Sequence, residues 1–296
     1  MLRVPPGLLG RDIELGTVDV TRDLIRDYGR AVCDPELAAG PCDRAPLGLA
    51  LALRGGPQPE VELSPQTLSV HAGHHITIER PLTAPGRYQI RTRLADVFEK
   101  SGRSGALTVV VRRASIVAED GAVHALVEDQ QIVRWQRAAA PQPAQPADDG
   151  GRATAHERSA AARHEPEVGD QIGFERRPAP DADAVRHYSA WVGGGEQLFV
   201  DREFAHSLGY RNVIVPGPVQ SALLEALLRR ALPAWELRRL SATFRLSLIA
   251  AEPITLRAVV VEHHVRPDGP RLICDLAIEN SDGDRAAIGS AELQRL

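Results

Sequence analysis

Two kinds of hydrophobic pattern follow one another in a fixed order along this chain, and the order occurs twice. In the first half, VDVTRDLIRDYGRAV places Val20, Leu24, Ile25 and Tyr28 on one stripe of a helix, with Thr21 or Asp19 available as its cap. A short apolar segment, APLGLALAL, comes next. Three long runs of β composition follow, RYQIRTRLADVFEK, SGALTVVVRRASIVA and AVHALVEDQQIVRW, separated by the glycine-containing turns SGRSG and EDG. The second half opens with DQIGFERR as a strand and DADAVRHYSAWV as a short helix begun at Asp181 or Asp183. DREFAHSL reads as another helix, with Asp201 as its cap. In GPVQSALLEALLRRAL, Pro218 sits in the first turn, and Val219, Leu223, Leu224, Leu227 and Leu228 recur at three and four. LRRLSATFRLSLI, ITLRAVVVEHHVR and RLICDLAIEN then read as strands, with AAIGSAELQRL as a fourth.

A helix that is apolar over a broad face, followed by long antiparallel strands, predicts a sheet curled around that helix. The expected fold class is therefore α+β, with one such unit in each half. Between the halves, residues 137–165 (RAAAPQPAQPADDGGRATAHERSAAARHE) combine Pro, Ala, Gly and charge with no sustained apolar period, the composition of a linker. This gives an N-terminal domain over 1–136 and a C-terminal domain over 166–296, both of ordinary domain size.

Composition narrows the function classes. Hydrophobic residues make up 43% of the chain, charged residues 25%, and the formal net charge is −4, which argues against a nucleic-acid binder. Lys100 is the only lysine, so arginine supplies nearly all the positive charge. Cys33, Cys42 and Cys274 are odd in number, lack CxxC spacing and follow no signal-like segment, which points to a reducing cytoplasm. No apolar run reaches the ~20 residues that span a bilayer, so no membrane partner is expected.

With YSA, FVDREFA, GY and VPGPVQSALL in this order, the C-terminal half resembles the MaoC-like (R)-specific enoyl-thioester hydratases and 3-hydroxyacyl-thioester dehydratases. ITIERPL, RTRLADVFEKSGRSGALTVVV and VTRDLIRDYGRAV resemble the dehydratase-like domain that precedes the catalytic one in two-domain members, such as the mesaconyl-CoA hydratase group. The resemblance implies a double hot-dog fold and an acyl-CoA or acyl-carrier-protein substrate, with no cofactor and no metal. In that family the loop after YSA carries an Asp or Asn, then a His five residues on, and an Asp after one further residue. The two side chains of the dyad converge on one water or on the substrate within ~3 Å. Here those positions match Gly194, Phe199 and Asp201, so both members of the dyad are replaced. The family's glycine at the start of the central helix, which presents backbone N–H to the thioester carbonyl, matches Gly217, with Pro216 where a His is common.

Several residues are candidates to take over the missing proton transfer. Glu196 lies in the same loop, beside three glycines that free the backbone; the plainer reading is a solvated carboxylate. His187 precedes YSA, and His206 falls within DREFAHSL; histidine titrates in the right range, although each also suits a surface or packing role. Phe199, Gly194, Tyr188, Trp191 and Val219, with His71 from the N-terminal half, are the candidates for contact with substrate. His71, His74 and His75 fall within VHAGHHITIER, but no HxxxH helix or Cys partner accompanies them, so a metal site is not expected. His263 and His264 alternate faces of a strand. Arg80, Arg87, Arg91, Arg93 and Arg103 are either ordinary surface charge or partners for the phosphates of coenzyme A. Neither a nucleotide-binding glycine loop nor GxSxG is present.

Three functions follow. The first is a hydratase or dehydratase on acyl thioesters with a relocated acid–base group. The second is a cyclase of Michael or pericyclic type, where holding a chain folded is worth ~7–11 kcal/mol and no dyad is needed. The third is a non-catalytic subunit that binds the acyl chain or scaffolds a dyad-bearing dehydratase partner; whichever holds, the expected assembly is a homodimer or a heteromer with such a partner.

Overall fold

The computed structural model describes residues 3–53, 64, 67–102, 105–135, 157–158 and 165–296. The expected linker falls almost entirely outside these residues, as does Arg103. Two compact units result: Met1–Arg30, Asp34–Gln136 and Arg238–Thr243 form one, and Ala31–Cys33, Arg137–Leu237 and Phe244–Leu296 the other.

The first unit contains β1 (Asp12–Val20), α1 (Arg22–Ala31), α2 (Pro35–Ala39), α3 (Leu47–Leu53), β2 (Thr67–Ile78), β3 (Gly86–Gly102), β4 (Gly105–Ala118) and β5 (Val123–Trp135). Its strands pair antiparallel in the order β1-β3-β4-β5-β2, and Arg239–Thr243 pairs antiparallel with β2. The segment VDV, expected in the first helix, closes β1 instead. Thr21 then caps α1 by accepting a hydrogen bond from the Leu24 N–H at 3.1 Å. Val20, Ile25 and Tyr28 of the anticipated stripe are buried. The apolar segment LGLALAL is α3, which packs against β2 and β5. β1, α2 and β2 were not anticipated, because β1 and β2 mix glycine, charge and histidine into their apolar alternation.

β2 carries one irregularity. The register shifts between His71 and Gly73, so the strand carries an extra residue there. A Cβ on Gly73 would lie 2.6 Å from the Ala242 carbonyl oxygen, so only glycine lets the neighbouring backbone approach this closely.

The second unit contains β6 (Glu157–Arg158), β7 (Gln171–Pro178), α4 (Ala182–Trp191), α5 (Gln197–Val200), α6 (Arg202–Ser207), α7 (Gly217–Ala231), the ends of β8 (Trp235–Phe244), whose stretch Arg238–Thr243 belongs to the first unit, and β9 (Pro253–Arg266), β10 (Gly269–Glu279) and β11 (Arg285–Arg295). Its strands pair antiparallel in the order β11-β10-β9-β7-β6. The helix α7 packs against β7, β9 and β10 and is buried on nearly every side from Gly217 to Leu228. Burial of Leu223, Leu224, Leu227 and Leu228 stabilises the unit by ~1.5–3 kcal/mol per side chain. At the far end of α7, Arg230 pairs with the fully buried Glu175 of β7, which Arg177 also approaches at 3.6 Å. Among the described residues, no helix is long and apolar enough to cross a membrane.

Candidate active site

The loop where the dyad would be expected is a helix terminator. Asp181 caps the start of α4, accepting from the Ala184 N–H at 2.9 Å. At the other end, the Gly194 N–H donates to the Ser189 carbonyl at 2.8 Å and the Gly193 N–H to the Ala190 carbonyl at 3.1 Å. This is the paired bonding of a Schellman motif, which needs a left-handed residue just past the helix. Gly193 and Gly194 have φ of +88° and +122°. The glycines therefore fix the backbone here. At Gly194, where the family has an Asp or Asn, a side chain would be strained.

Glu196 follows at the N-cap position of α5, but its side chain makes no capping bond, and desolvation pushes its carboxyl above the usual glutamate range. The residue as a whole is exposed, and its side chain has no hydrogen bond or ion pair among the described residues; its carbonyl accepts from the Phe199 N–H at 2.9 Å. The half-buried Phe199 ring and the Ser189 hydroxyl flank Gly195: a Cβ there would lie 3.5 Å from Phe199 Cδ2 and 2.9 Å from Ser189 Oγ. The Leu198 carbonyl accepts from the Ile214 N–H at 3.3 Å, tying α5 to the segment that leads into α7. Asp201 caps α6 as anticipated, accepting from the Phe204 N–H at 3.0 Å. His206 lies in the last turn of α6 with Nε2 2.9 Å from the Arg211 carbonyl, a bond that holds the α6 terminus. His187 is exposed, Tyr188 is buried in α4, and Trp191 is half-buried.

Gly217 begins α7 and is buried. Its N–H makes no hydrogen bond among the described residues, whereas the N–H groups of Val219 and Gln220 both turn back to the Pro216 carbonyl. The structure adds a second reason for glycine. A Cβ at 217 would lie 2.5 Å from Cε2 of Phe244, so an aromatic ring lies against this helix end. Val219 is buried one turn in. Gln220, also buried, donates from Nε2 to the Val215 carbonyl at 2.9 Å, and its Oε1 has no hydrogen-bond partner among the described residues. Phe244 and Gln220 went unnoticed in the sequence. A lone amide inside an apolar stripe was the available sign for Gln220; nothing local marks Phe244.

The second unit thus gathers Glu196, Gly194, Phe199, His187, Tyr188, Trp191 and His206 on α4, α5, α6 and their joining loops, with Gly217 and Val219 on α7. His71 belongs to β2 of the first unit, where its Nε2 lies 2.9 Å from Nδ1 of His74. His75 instead approaches Ser241 Oγ at 2.5 Å. Two of the arginines considered for phosphate binding lie near carboxylates: Arg87 near Asp19 at 3.8 Å and Glu119 at 3.9 Å, and Arg91 near Glu14 at 3.7 Å. Among the described residues, no three His, Cys, Asp or Glu side chains are grouped as metal ligands.

The architecture has counterparts among solved structures. A protein described as a MaoC-like dehydratase superposes with a TM-score of 0.73 at 14% identity, over 98% of this chain and 99% of its own. A putative MaoC domain protein dehydratase from Chloroflexus aurantiacus superposes with a TM-score of 0.63 at 13% identity, over 97% of this chain and 95% of its own. A putative oleoyl thioesterase from Lactobacillus plantarum superposes with a TM-score of 0.57 at 12% identity, over 97% of each chain. No protein-family model matches the sequence, and no curated protein sequence matches it. The chain has the α+β double hot-dog fold of the MaoC-like dehydratases, as the resemblance of its motifs implied.

Proposed function

We propose that this protein acts on acyl thioesters of coenzyme A or a carrier protein, by chemistry of the hydratase and dehydratase type at an atypical site in the second unit. One observation carries the reading: the Gly217 N–H, at the buried amino end of α7, makes no hydrogen bond among the described residues. A donor without a hydrogen bond among the described residues, at the positive end of a fifteen-residue helix, suits a carbonyl oxygen that gains charge as an enolate forms. Glu196 is then the acid–base group. Its raised carboxyl, with no side-chain partner among the described residues, fits a side chain that exchanges protons rather than one held in an ion pair. The names of similar folds, dehydratase and oleoyl thioesterase, accord with an acyl substrate.

Purified protein incubated with crotonyl-CoA and longer enoyl-CoAs tests this. Hydration that falls ~100-fold or more in Glu196→Gln supports the reading. Hydration that survives the substitution removes Glu196 from the role, and failure to bind any acyl-CoA sinks the reading as a whole.

A second reading draws on a specific feature. Gly194 is held in the α4 terminator, and two phenyl rings, Phe199 and Phe244, lie beside Gly195 and Gly217. An apolar site with one carbonyl-polarising donor also suits a cyclisation by Michael addition or a pericyclic step, which depends on orientation more than on proton transfer. Silence toward every enoyl-CoA, with acyl-CoA binding retained, favours it.

A further inference from the structure

On the core face of the first unit's sheet, two apolar rows give way to polar ones. Cross-strand partners project to the same face. On this face the registers give Ile116–Ala125–Ile78 as one row and Ala114–Val127–Ile76 as the next, running across β4, β5 and β2. The row after these is Arg112–Asp129–His74. All three of its members are buried, at 5%, 1% and 6% exposure. Beyond it the β2 irregularity intervenes. Without the extra residue, His71 and His74 would face opposite sides of the sheet; with it, both lie on the core face, and their rings meet at 2.9 Å. Gln131, opposite His71, accepts from Arg112 Nη1 at 3.0 Å and from Ser69 Oγ at 3.3 Å. His71 is the half-exposed end of this chain of polar groups.

Stability does not account for such a row. Burying a cation, a carboxylate and an imidazole costs desolvation that a well-packed apolar triplet avoids, and the two adjacent rows are such triplets. The hydrogen bond between the rings requires one of them to donate and the other to accept, so one proton is held between two imidazoles. Asp129, the cross-strand partner of the inner ring, places a carboxylate on the same face, where it counters positive charge that gathers there. These are the parts of a proton-transfer site: an accessible imidazole, a second that takes up its proton, and a buried carboxylate that steadies the resulting charge.

We propose that His71, His74 and Asp129 form a proton-transfer site in the first unit that acts at the α-carbon of an acyl thioester. For its substrate class this rests on the acyl-thioester reading above; its residues are independent of Glu196. His71 takes the α-proton, the electron pair of the broken C–H bond passes into the thioester as an enolate, and return of the proton from the imidazolium restores the C–H bond. His74 and Asp129 are positioning residues. Among the described residues, the charged and titratable groups that the strand registers place on this face beside the pair are Arg112 from β4 and Asp129 from β5. The β8 partner opposite His74 is Ala242, and α3 carries no titratable side chain.

Exchange of the α-protons of butyryl-CoA in D₂O, followed by proton NMR on the full chain, tests the proposal whatever reaction follows. The wild type should exchange them at a rate that rises with pH as one group deprotonates. His71→Gln should lower the rate ~100-fold or more with the butyryl-CoA Kd unchanged. Asp129→Asn should move the profile to lower pH, because the charge that favours imidazolium is gone. His74→Gln should move it too, a readout that a purely structural role would leave in place. Butyryl-CoA binding with no exchange, or exchange in His71→Gln at the wild-type rate and profile, overturns this site and leaves the acyl-thioester reading standing. Failure of butyryl-CoA and of longer acyl-CoAs to bind removes both.

Discussion

Replacing Gly217 by alanine places a methyl group against Phe244, 2.5 Å from Cε2, 2.8 Å from Cδ2 and 2.9 Å from Cζ of its ring. Carbon atoms pack at about 3.5–4.0 Å, so the ring or the first turn of α7 must give by roughly an ångström. Overpacking of this kind costs ~1–3 kcal/mol. Alanine recovers up to ~1 kcal/mol of helix propensity in a helix interior and less in a first turn. The net expectation for Gly217→Ala is a loss of ~1–2 kcal/mol, or a fall in Tm of ~2–8 °C for a domain-sized unit. Urea denaturation followed by tryptophan fluorescence should show a lower midpoint with an unchanged slope. Phe244→Leu removes the obstructing ring, so adding Gly217→Ala to Phe244→Leu should cost little, with a coupling of at least ~1 kcal/mol in the double-mutant cycle. A Gly217→Ala protein as stable as the wild type, or a cycle without coupling, would refute the claim that Phe244 dictates glycine here.

Three further outcomes follow from the structure. Gly73→Ala directs a methyl group at the Ala242 carbonyl, 2.6 Å away, and backbone cannot rotate aside as a side chain can; it should destabilise the first unit by ~2 kcal/mol or more, with amide exchange accelerated over residues 239–243. Glu175→Gln strips the buried partner from Arg230, for an expected loss of ~3–5 kcal/mol in urea denaturation, whereas replacing Glu175 and Arg230 together by leucine should restore most of it. Glu196 has a folded carboxyl raised above its unfolded value, so its contribution to stability is present below the ordinary glutamate range and lost as pH rises through the folded value. The advantage of Glu196→Gln over the wild type should therefore be near zero at low pH and grow toward neutrality in denaturation series across pH.

What the sequence revealed depended on how local the cause was. The helix α7 was legible because its leucines repeat every three and four residues, and the caps at Asp181 and Asp201 because a cap bonds an amide three residues away. That Gly194 stands where the resembled family has an Asp or Asn was also visible, though the part the glycines play was misjudged. Three consecutive glycines suggest looseness, whereas two of them are locked by hydrogen bonds to the end of α4. The close approach of Phe244 to Gly217 joins the end of a strand to the start of a helix and has no periodic signature. In VHAGHHITIER three histidines were evident, but which of them share a face is decided by a one-residue irregularity that only strand pairing reveals. Asp129 and Arg112 lay concealed for the same reason, each sitting in an otherwise β-patterned run and meeting His74 only through register.

The most direct test of the central claim, that a backbone donor at the start of α7 polarises a thioester carbonyl, is infrared difference spectroscopy of hexanoyl-CoA labelled with ¹³C at the carbonyl. On binding, the C=O stretch should move to lower frequency, as expected when a preorganised N–H donates to that oxygen. A carbonyl that binds yet keeps its free-solution frequency would contradict it.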